Sequence, residues 1–288
     1  MRDNPIGQAV WLDLSGTMTE TILISPFAGC GPQQIPNRVY SDNGLYQREM
    51  EAFFYKGHWC YVALECEIPN AGDYKATMIG ERPVIVVRDR DGSVNVLENR
   101  CAHKGAKFCQ KEFGNAKVFV CPYHQWGYRL NGELAGVPMK NGVGGQGGMD
   151  ADFKLEEHGL NRLKVQVHNG IVFASFDPDV EPFEQFIGSG LMPFFNRTFD
   201  GRKLTLLGYN RQRIRGNWKL MQENIKDPYH PGLLHVFFVT FGLWRADQKS
   251  ELRIDPRGRH AQMISTRNAG GENAEVTKGV TSFKLALK

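Results

Sequence analysis

Two short loops, Cys101-Ala102-His103 and Cys121-Pro122-Tyr123-His124, each hold one thiol and one imidazole, and 17 residues separate them. No other feature restricts the fold as strongly. Side chains that grip metal together must meet, so the chain between 101 and 124 has to double back and set the loops side by side. Each loop follows a run of strand formers, residues 94–97 and 118–120. A tetrahedral zinc site is one reading, but zinc modules usually group Cys-x-x-Cys and His-x-His on separate arms, and here the order alternates. Alternation suits two metals. A 2Fe-2S centre of mixed ligation takes two thiolates on one iron and two imidazoles on the other, so each loop must reach both irons. Gly105, Pro122 and Gly127 are expected to supply tight turns whose free N–H groups donate to cluster sulfur.

Composition narrows the setting. Six Cys in 288 residues are too few for a disulfide scaffold, so paired Cys and His point to metal chemistry. The balance of 35 basic to 31 acidic residues, a formal charge of +4, is too mild to argue for nucleic acid. With 41% hydrophobic and 23% charged residues the chain is of globular type. The longest apolar run, 236–244, is half a membrane span and contains Thr240, and the N-terminus lacks a signal-like apolar core. The expectation is a soluble, cytoplasmic protein with no membrane or nucleic-acid partner.

Periodicity divides the chain. Residues 1–44 are rich in turn formers and read as an arm. Residues 46–56 carry an apolar face through Met50, Phe53 and Phe54 and predict a helix stopped by Gly57. Short β-rich runs follow at 61–64, 84–88, 94–97, 118–120, 163–167 and 171–176, then a break at Asp177-Pro178-Asp179. Beyond it, 203–214 predicts a strand or pair. Residues 217–226 predict a helix with Trp218, Met221 and Ile225 on one stripe.

A second constellation sits after that helix: Asp227 lies three residues before His230, and His235 five after it. A three-residue step keeps Asp227 and His230 on one helix face, whereas five residues rotate by about 140°. Both imidazoles reach one ion only if the helix opens between them, and Pro231 and Gly232 lie there. Two His and a carboxylate with open positions form the donor set of a non-haem iron(II) centre that activates oxygen. Two satisfied His on a helix are the plainer alternative.

Residues 99–106, 121–124 and 217–235 resemble the large (alpha) subunits of Rieske-type aromatic-ring-hydroxylating oxygenases, and the similarity runs from about residue 38 to the end. Respiratory Rieske proteins carry an extra, disulfide-forming Cys in each loop. Those places hold Ala106 and Tyr123 here, so the resemblance is to the low-potential oxygenase type. It implies an α+β chain: an arm and helix over 1–56, an all-β Rieske domain over 57–178, and over 179–288 the N-terminal part of a mixed α/β catalytic domain of helix-grip type. It implies a 2Fe-2S cluster on Cys101, His103, Cys121 and His124, and mononuclear non-haem Fe(II) on His230 and His235. Asp227 is then no third iron ligand. It bonds His230 and reaches a cluster-ligating His of the neighbouring subunit, matched by His124. The family's third ligand, an Asp, falls beyond residue 288, while Asp247, Glu251, Asp255, Glu272 and Glu275 fall before its place. A C-terminally truncated chain, inactive by itself, is the expectation.

The glycine loop at 142–149, Glu156 to Gly159 and the segment 237–249 are similar to the branch acting on aromatic carboxylates, the terephthalate, anthranilate and salicylate oxygenases. The implied activity is that of a terminal oxygenase component hydroxylating an aromatic carboxylate with O2 and electrons from NAD(P)H. Gly142-Val-Gly-Gly-Gln-Gly147 fits G-x-G-x-x-G, but it follows no clear strand and opens no Rossmann unit, so it is expected to be a flexible loop. Electrons must therefore come from a separate reductase, with or without a ferredoxin. The resemblance further implies a small beta subunit and a homotrimer or α3β3 ring. A Rieske monooxygenase or O-demethylase, a plain Rieske electron carrier, and a catalytically incomplete fragment are the competing readings. Cys30, Cys60, Cys66 and Cys109 have no spacing partner. Arg211, Arg213, Arg215 and Lys219 read as a solvated strand face or a dock for an acidic redox partner.

Overall fold

The computed structural model describes residues 29, 31, 34–235, 237, 240–241 and 249–266. Most of the expected arm, Cys30, and much of the apolar run 236–244 lie outside them. After α1 (Arg38–Ser41), α2 (Asn43–Glu49) starts where Asp42 Oδ1 accepts the Leu45 N–H at 2.8 Å, and it widens into π-turns over Met50–Tyr55. The helix stops at Gly57, whose φ of 65° a side chain would disfavour.

β1 (Cys60–Leu64) leads into β2 (Asp73–Ile79), β3 (Arg82–Arg88), β4 (Val94–Glu98) and β5 (Phe113–Asn115). Strands β2 to β5 form an antiparallel sheet in the order β4-β3-β2-β5. Its centre is the run Val84-Ile85-Val86-Val87, whose four residues are completely buried. Alternate side chains of that run enter different cores: Ile85 and Val87 pack with Cys101, Phe119, Cys121 and Tyr128, while Val84 and Val86 pack with Val62, Ile79 and Val172. An uninterrupted apolar strand is what burial on both faces requires. The first core roots the two Cys-His loops. β6 (Phe119–Val120), β7 (Gly127–Tyr128) and β8 (Leu134–Gly136) form a small sheet beneath the second loop, and β9 (Lys164–His168) and β10 (Ile171–Ser175) complete a sheet in the order β1-β10-β9.

β2 escaped the sequence reading because Asp73 and Lys75 interrupt its pattern. Lys75 is nevertheless buried, and its Nζ stands 2.9 Å from Glu67 Oε2, a carboxylate side chain only 1% exposed. Burial pushes the Glu67 carboxyl up, but bonds from Tyr209, the Leu64 N–H and Lys75 outweigh it and hold it below its ordinary value. Removing one partner strands the other charge. Lys75→Met is expected to cost about 3 kcal/mol, read as a lower urea midpoint at unchanged slope.

The later part is mixed: α3 (Phe183–Ile187), α4 (Met192–Thr198), α5 (Trp218–Lys226), α6 (Pro231–Leu234) and a hairpin of β11 (Lys249–Ile254) with β12 (Ala261–Thr266). The strand expected over 203–214 does not form. Those residues form no regular element and are held by side chains: Tyr209 donates to Glu67 and packs on Phe113 at 5.4 Å, and Arg211 pairs with Glu112. Leu207 is left 96% exposed, so the apolar pattern there has no sheet to cover it. Nor is the glycine loop loose. The Met149 N–H closes it onto the Lys140 carbonyl at 2.8 Å, and a side chain at Gly142 or Gly148 would collide with its backbone. Among the described residues no helix is long and apolar enough to cross a membrane.

Candidate metal centres

The two Cys-His loops are built alike. In the first, the Cys101 N–H donates to the Ala106 carbonyl at 2.9 Å and the Gly105 N–H to the Cys101 carbonyl at 2.8 Å. In the second, the Cys121 N–H donates to Trp126 and the Gln125 N–H to Cys121, both at 2.9 Å. The fourth residue after each Cys adopts left-handed backbone, Gly105 at φ 68° and Gln125 at φ 58°. This corrects the expectation for Gly127, which sits in β7 while Gln125 makes the turn. Asn99, fully buried, braces the first loop from below: its Nδ2 donates to the Cys109 carbonyl at 2.9 Å and its Oδ1 accepts the Cys109 N–H at 3.0 Å.

These turns sort the donors by depth. Cys101 and Cys121 are 3% and 1% exposed, His103 is half-buried and His124 is exposed. The two Nδ1 atoms stand 3.1 Å apart. Two imidazole nitrogens at ~2.0–2.1 Å from one first-row ion, at 90 to 109°, lie roughly 2.9–3.4 Å apart. That spacing suits a shared metal. His103 is stacked on Trp126 at 4.8 Å, and desolvation, then the neighbouring His124 and Lys104, lower its pKa, favouring the neutral imidazole a metal needs. No three His, Cys, Asp or Glu side chains among the described residues converge as a single-ion site; these four are arranged as pairs, two thiols inside and two imidazoles outside.

Tyr128 was missed by the sequence reading, which had no signal for it. Its hydroxyl lies 3.1 Å from the Cys101 Sγ and 3.1 Å from the Ala102 nitrogen. The backbone N–H can only donate, so the tyrosine proton is free to point at sulfur. A donor on a ligating thiolate favours the electron-rich state. Where Cys101 ligates an iron–sulfur cluster, Tyr128→Phe is expected to keep that cluster and lower its potential by about 40 mV, the equivalent of a hydrogen bond worth ~1 kcal/mol in a one-electron couple. Protein-film voltammetry reads the shift.

The second constellation follows α5. Asn217 Oδ1 caps that helix by accepting the Lys219 N–H at 3.1 Å, and the helix ends at Asp227, whose backbone is extended. The break therefore precedes the expected Pro231-Gly232 hinge. Pro231 instead opens α6 at its first position, where a missing N–H costs nothing. His230 and His235 flank this single turn, with ring centroids 5.1 Å apart. Asp227 Oδ1 accepts the Tyr229 N–H at 2.8 Å, and Oδ2 stands 3.2 Å from His230 Nδ1. That nitrogen is buried and has no well-aligned hydrogen bond. The Tyr229 N–H, then the backbone and charge of His230, hold the Asp227 carboxyl below its usual range.

Of the acidic residues downstream, Glu251 pairs with Arg253 at 2.7 Å, and Asp255 is used by the N–H groups of Arg257, Arg259 and His260. Asp247, Glu272 and Glu275 lie outside the described residues. The basic face is also corrected, because Lys219 is half-buried against Glu49 at 2.6 Å and Arg211 is engaged with Glu112. Cys60, Cys66 and Cys109 are free thiols, and burial pushes the Cys60 thiol up to about 11, which leaves it unreactive.

Residues 58–147 match the Rieske [2Fe-2S] domain. The large oxygenase component of salicylate 5-hydroxylase from Ralstonia sp is 62% identical over 264 residues, covering 90% of this chain and 62% of that protein. The large subunit of anthranilate 1,2-dioxygenase from Burkholderia cepacia is 41% identical over 245 residues, covering 85% and 58%. Naphthalene 1,2-dioxygenase with indole bound in its active site superposes with a TM-score of 0.68 at 27% identity, over 84% of this chain and 56% of that one. The chain thus spans about three fifths of the length of the relatives it matches.

Proposed function

We propose that this chain, which carries a Rieske domain and is similar to the large components of salicylate 5-hydroxylase and anthranilate 1,2-dioxygenase, is a Rieske-type ring-hydroxylating oxygenase large subunit and serves as the terminal oxygenase component of a system that hydroxylates an aromatic carboxylate. The observation that carries this reading is the convergence of two imidazole Nδ1 atoms, 3.1 Å apart, above two buried thiols in matching turns. Cys101 and Cys121 hold one iron of a 2Fe-2S cluster, and His103 and His124 hold the other. His230 and His235 hold a mononuclear iron(II), which when bound supplies the site for O2 activation.

The chain's own residues divide the work. The buried thiols would keep one end of the cluster dry, and the exposed His124 would hold the end open to a redox partner. Asp227 Oδ2, 3.2 Å from His230 Nδ1, would accept that nitrogen's N–H and so favour the tautomer whose other ring nitrogen is free to hold a metal. In the assembled oxygenase Asp227 also reaches His124 of the neighbouring subunit, which makes a homotrimer or an α3β3 ring with a small beta subunit the working form. Residues 57–178 form the Rieske domain and 179–288 part of the catalytic domain. Electrons come from NAD(P)H through a reductase, with or without a ferredoxin, in the cytoplasm. Salicylate 5-hydroxylase and anthranilate 1,2-dioxygenase support a carboxylated ring as substrate, giving a hydroxylated ring or a cis-diol.

The test pairs metal analysis with turnover. Two cluster irons and two acid-labile sulfides per chain are expected, with the EPR signature of mixed Cys and His ligation in the reduced state. The complete oxygenase with its reductase should consume O2 and form product with salicylate, anthranilate or terephthalate. Zinc without labile sulfide, or no product from any carboxylate alongside product from a non-carboxylated substrate, overturns the reading.

A further inference from the structure

Helix α5, which leads directly to Asp227 and His230, buries none of its own residues, and Leu220, Met221 and Ile225 on it are each about half exposed. Its first turn is different. Asn217 Nδ2 donates to the Tyr40 carbonyl at 3.2 Å, the Trp218 indole N–H donates to Glu49 Oε2 at 3.1 Å, and the Lys219 ammonium donates to the same oxygen at 2.6 Å. The Trp218 ring packs edge-on against Phe54 at 5.5 Å and lies 6.2 Å from Phe53. Three consecutive residues thus fasten the helix to the N-terminal segment, about 170 residues away in sequence.

Glu49 is the hub of that fastening. It is 6% exposed, a burial that a carboxylate tolerates only when donors meet it, and both donors come from α5. We infer that Glu49 is a positioning residue for the iron site: by holding Trp218 and Lys219 it sets the axis of α5 and with it the place of Asp227 and His230. From Lys219 to Asp227 the helix advances ~12 Å at 1.5 Å per residue, so a tilt at its root becomes a displacement at the ligands. The inference rests on the assignment of His230 and His235 as iron ligands.

Cobalt(II) tests it, because its ligand-field bands report the coordination of each loaded site independently of turnover. Glu49→Gln, which keeps shape and loses charge, is expected to weaken cobalt binding by the purified protein roughly 10-fold while leaving the cluster spectrum unchanged. Trp218→Phe keeps the ring contacts and loses only the indole N–H; it should show a smaller shift in the same direction, and it serves if Glu49→Gln fails to fold. Lys219→Met added to Glu49→Gln should weaken binding no further, since the pair acts as one unit. Val84→Ala, which loosens the β core but removes none of the bonds to Glu49, should leave cobalt affinity unchanged. If cobalt binding survives His230→Ala and His235→Ala, the iron-site assignment fails and the inference falls with it. If those two variants lose cobalt while Glu49→Gln binds like the parent, or Val84→Ala weakens binding as much, the positioning role alone is overturned.

Discussion

Cys101→Ser or Cys121→Ser is expected to yield a protein that folds its β sheets yet loses essentially all of its acid-labile sulfide and its visible absorption. Both sulfurs lie in the core beside Phe119 and Tyr128, at 3% and 1% exposure, where a serine hydroxyl stays protonated and cannot replace a thiolate. Losing one thiolate leaves an iron with a single protein ligand on that side, and the remaining loop cannot compensate, because each turn is closed by its own pair of backbone bonds. His103→Cys or His124→Cys is different. A cluster should persist, with a potential lower by on the order of 100 mV or more, since thiolate brings negative charge to an iron that imidazole leaves neutral. Full labile sulfide in both serine variants defeats the assignment of these thiols.

Asp227→Asn is expected to lower turnover of the complete oxygenase roughly 10- to 100-fold, the range for carboxylates behind metal-bound imidazoles. Cluster spectrum, oligomer and most of the iron should be retained. The carboxylate does two things at once: Oδ1 caps the turn at Tyr229 and Oδ2 lies 3.2 Å from His230 Nδ1. Asparagine can preserve the first role through its carbonyl, but it then turns an NH2 toward a nitrogen that must itself carry the proton. The expected loss therefore falls on electron transfer and tautomer control rather than on folding. Single-turnover measurement separates the two, because a residue that only caps the turn leaves the cluster-to-iron rate per loaded site unchanged. A normal rate in Asp227→Asn would defeat the bridging role.

The chain itself named the candidate donors. Cys101, His103, Cys121 and His124 are legible because metal chemistry restricts residue type and short-range spacing, and both survive whatever the rest of the chain does. The run at Val84 announced a strand buried on both faces for a similar reason, since apolar period is written locally. Tertiary structure decided everything that depends on residues far apart in sequence. Tyr128 reaches Cys101 across 27 positions, and Trp218 reaches Glu49 across 169. Lys75 and Lys219 look like solvated charges in the sequence and become the buried and half-buried partners of Glu67 and Glu49 only once the fold supplies those carboxylates. The hinge before His230 sits at Asp227, because Pro228 disfavours helical backbone in the residue before it and the Asp227 carboxylate then accepts the Tyr229 N–H. Identity and spacing fix which groups can bind metal; the surrounding hydrogen bonds and charges, assembled from distant segments, fix how they are held.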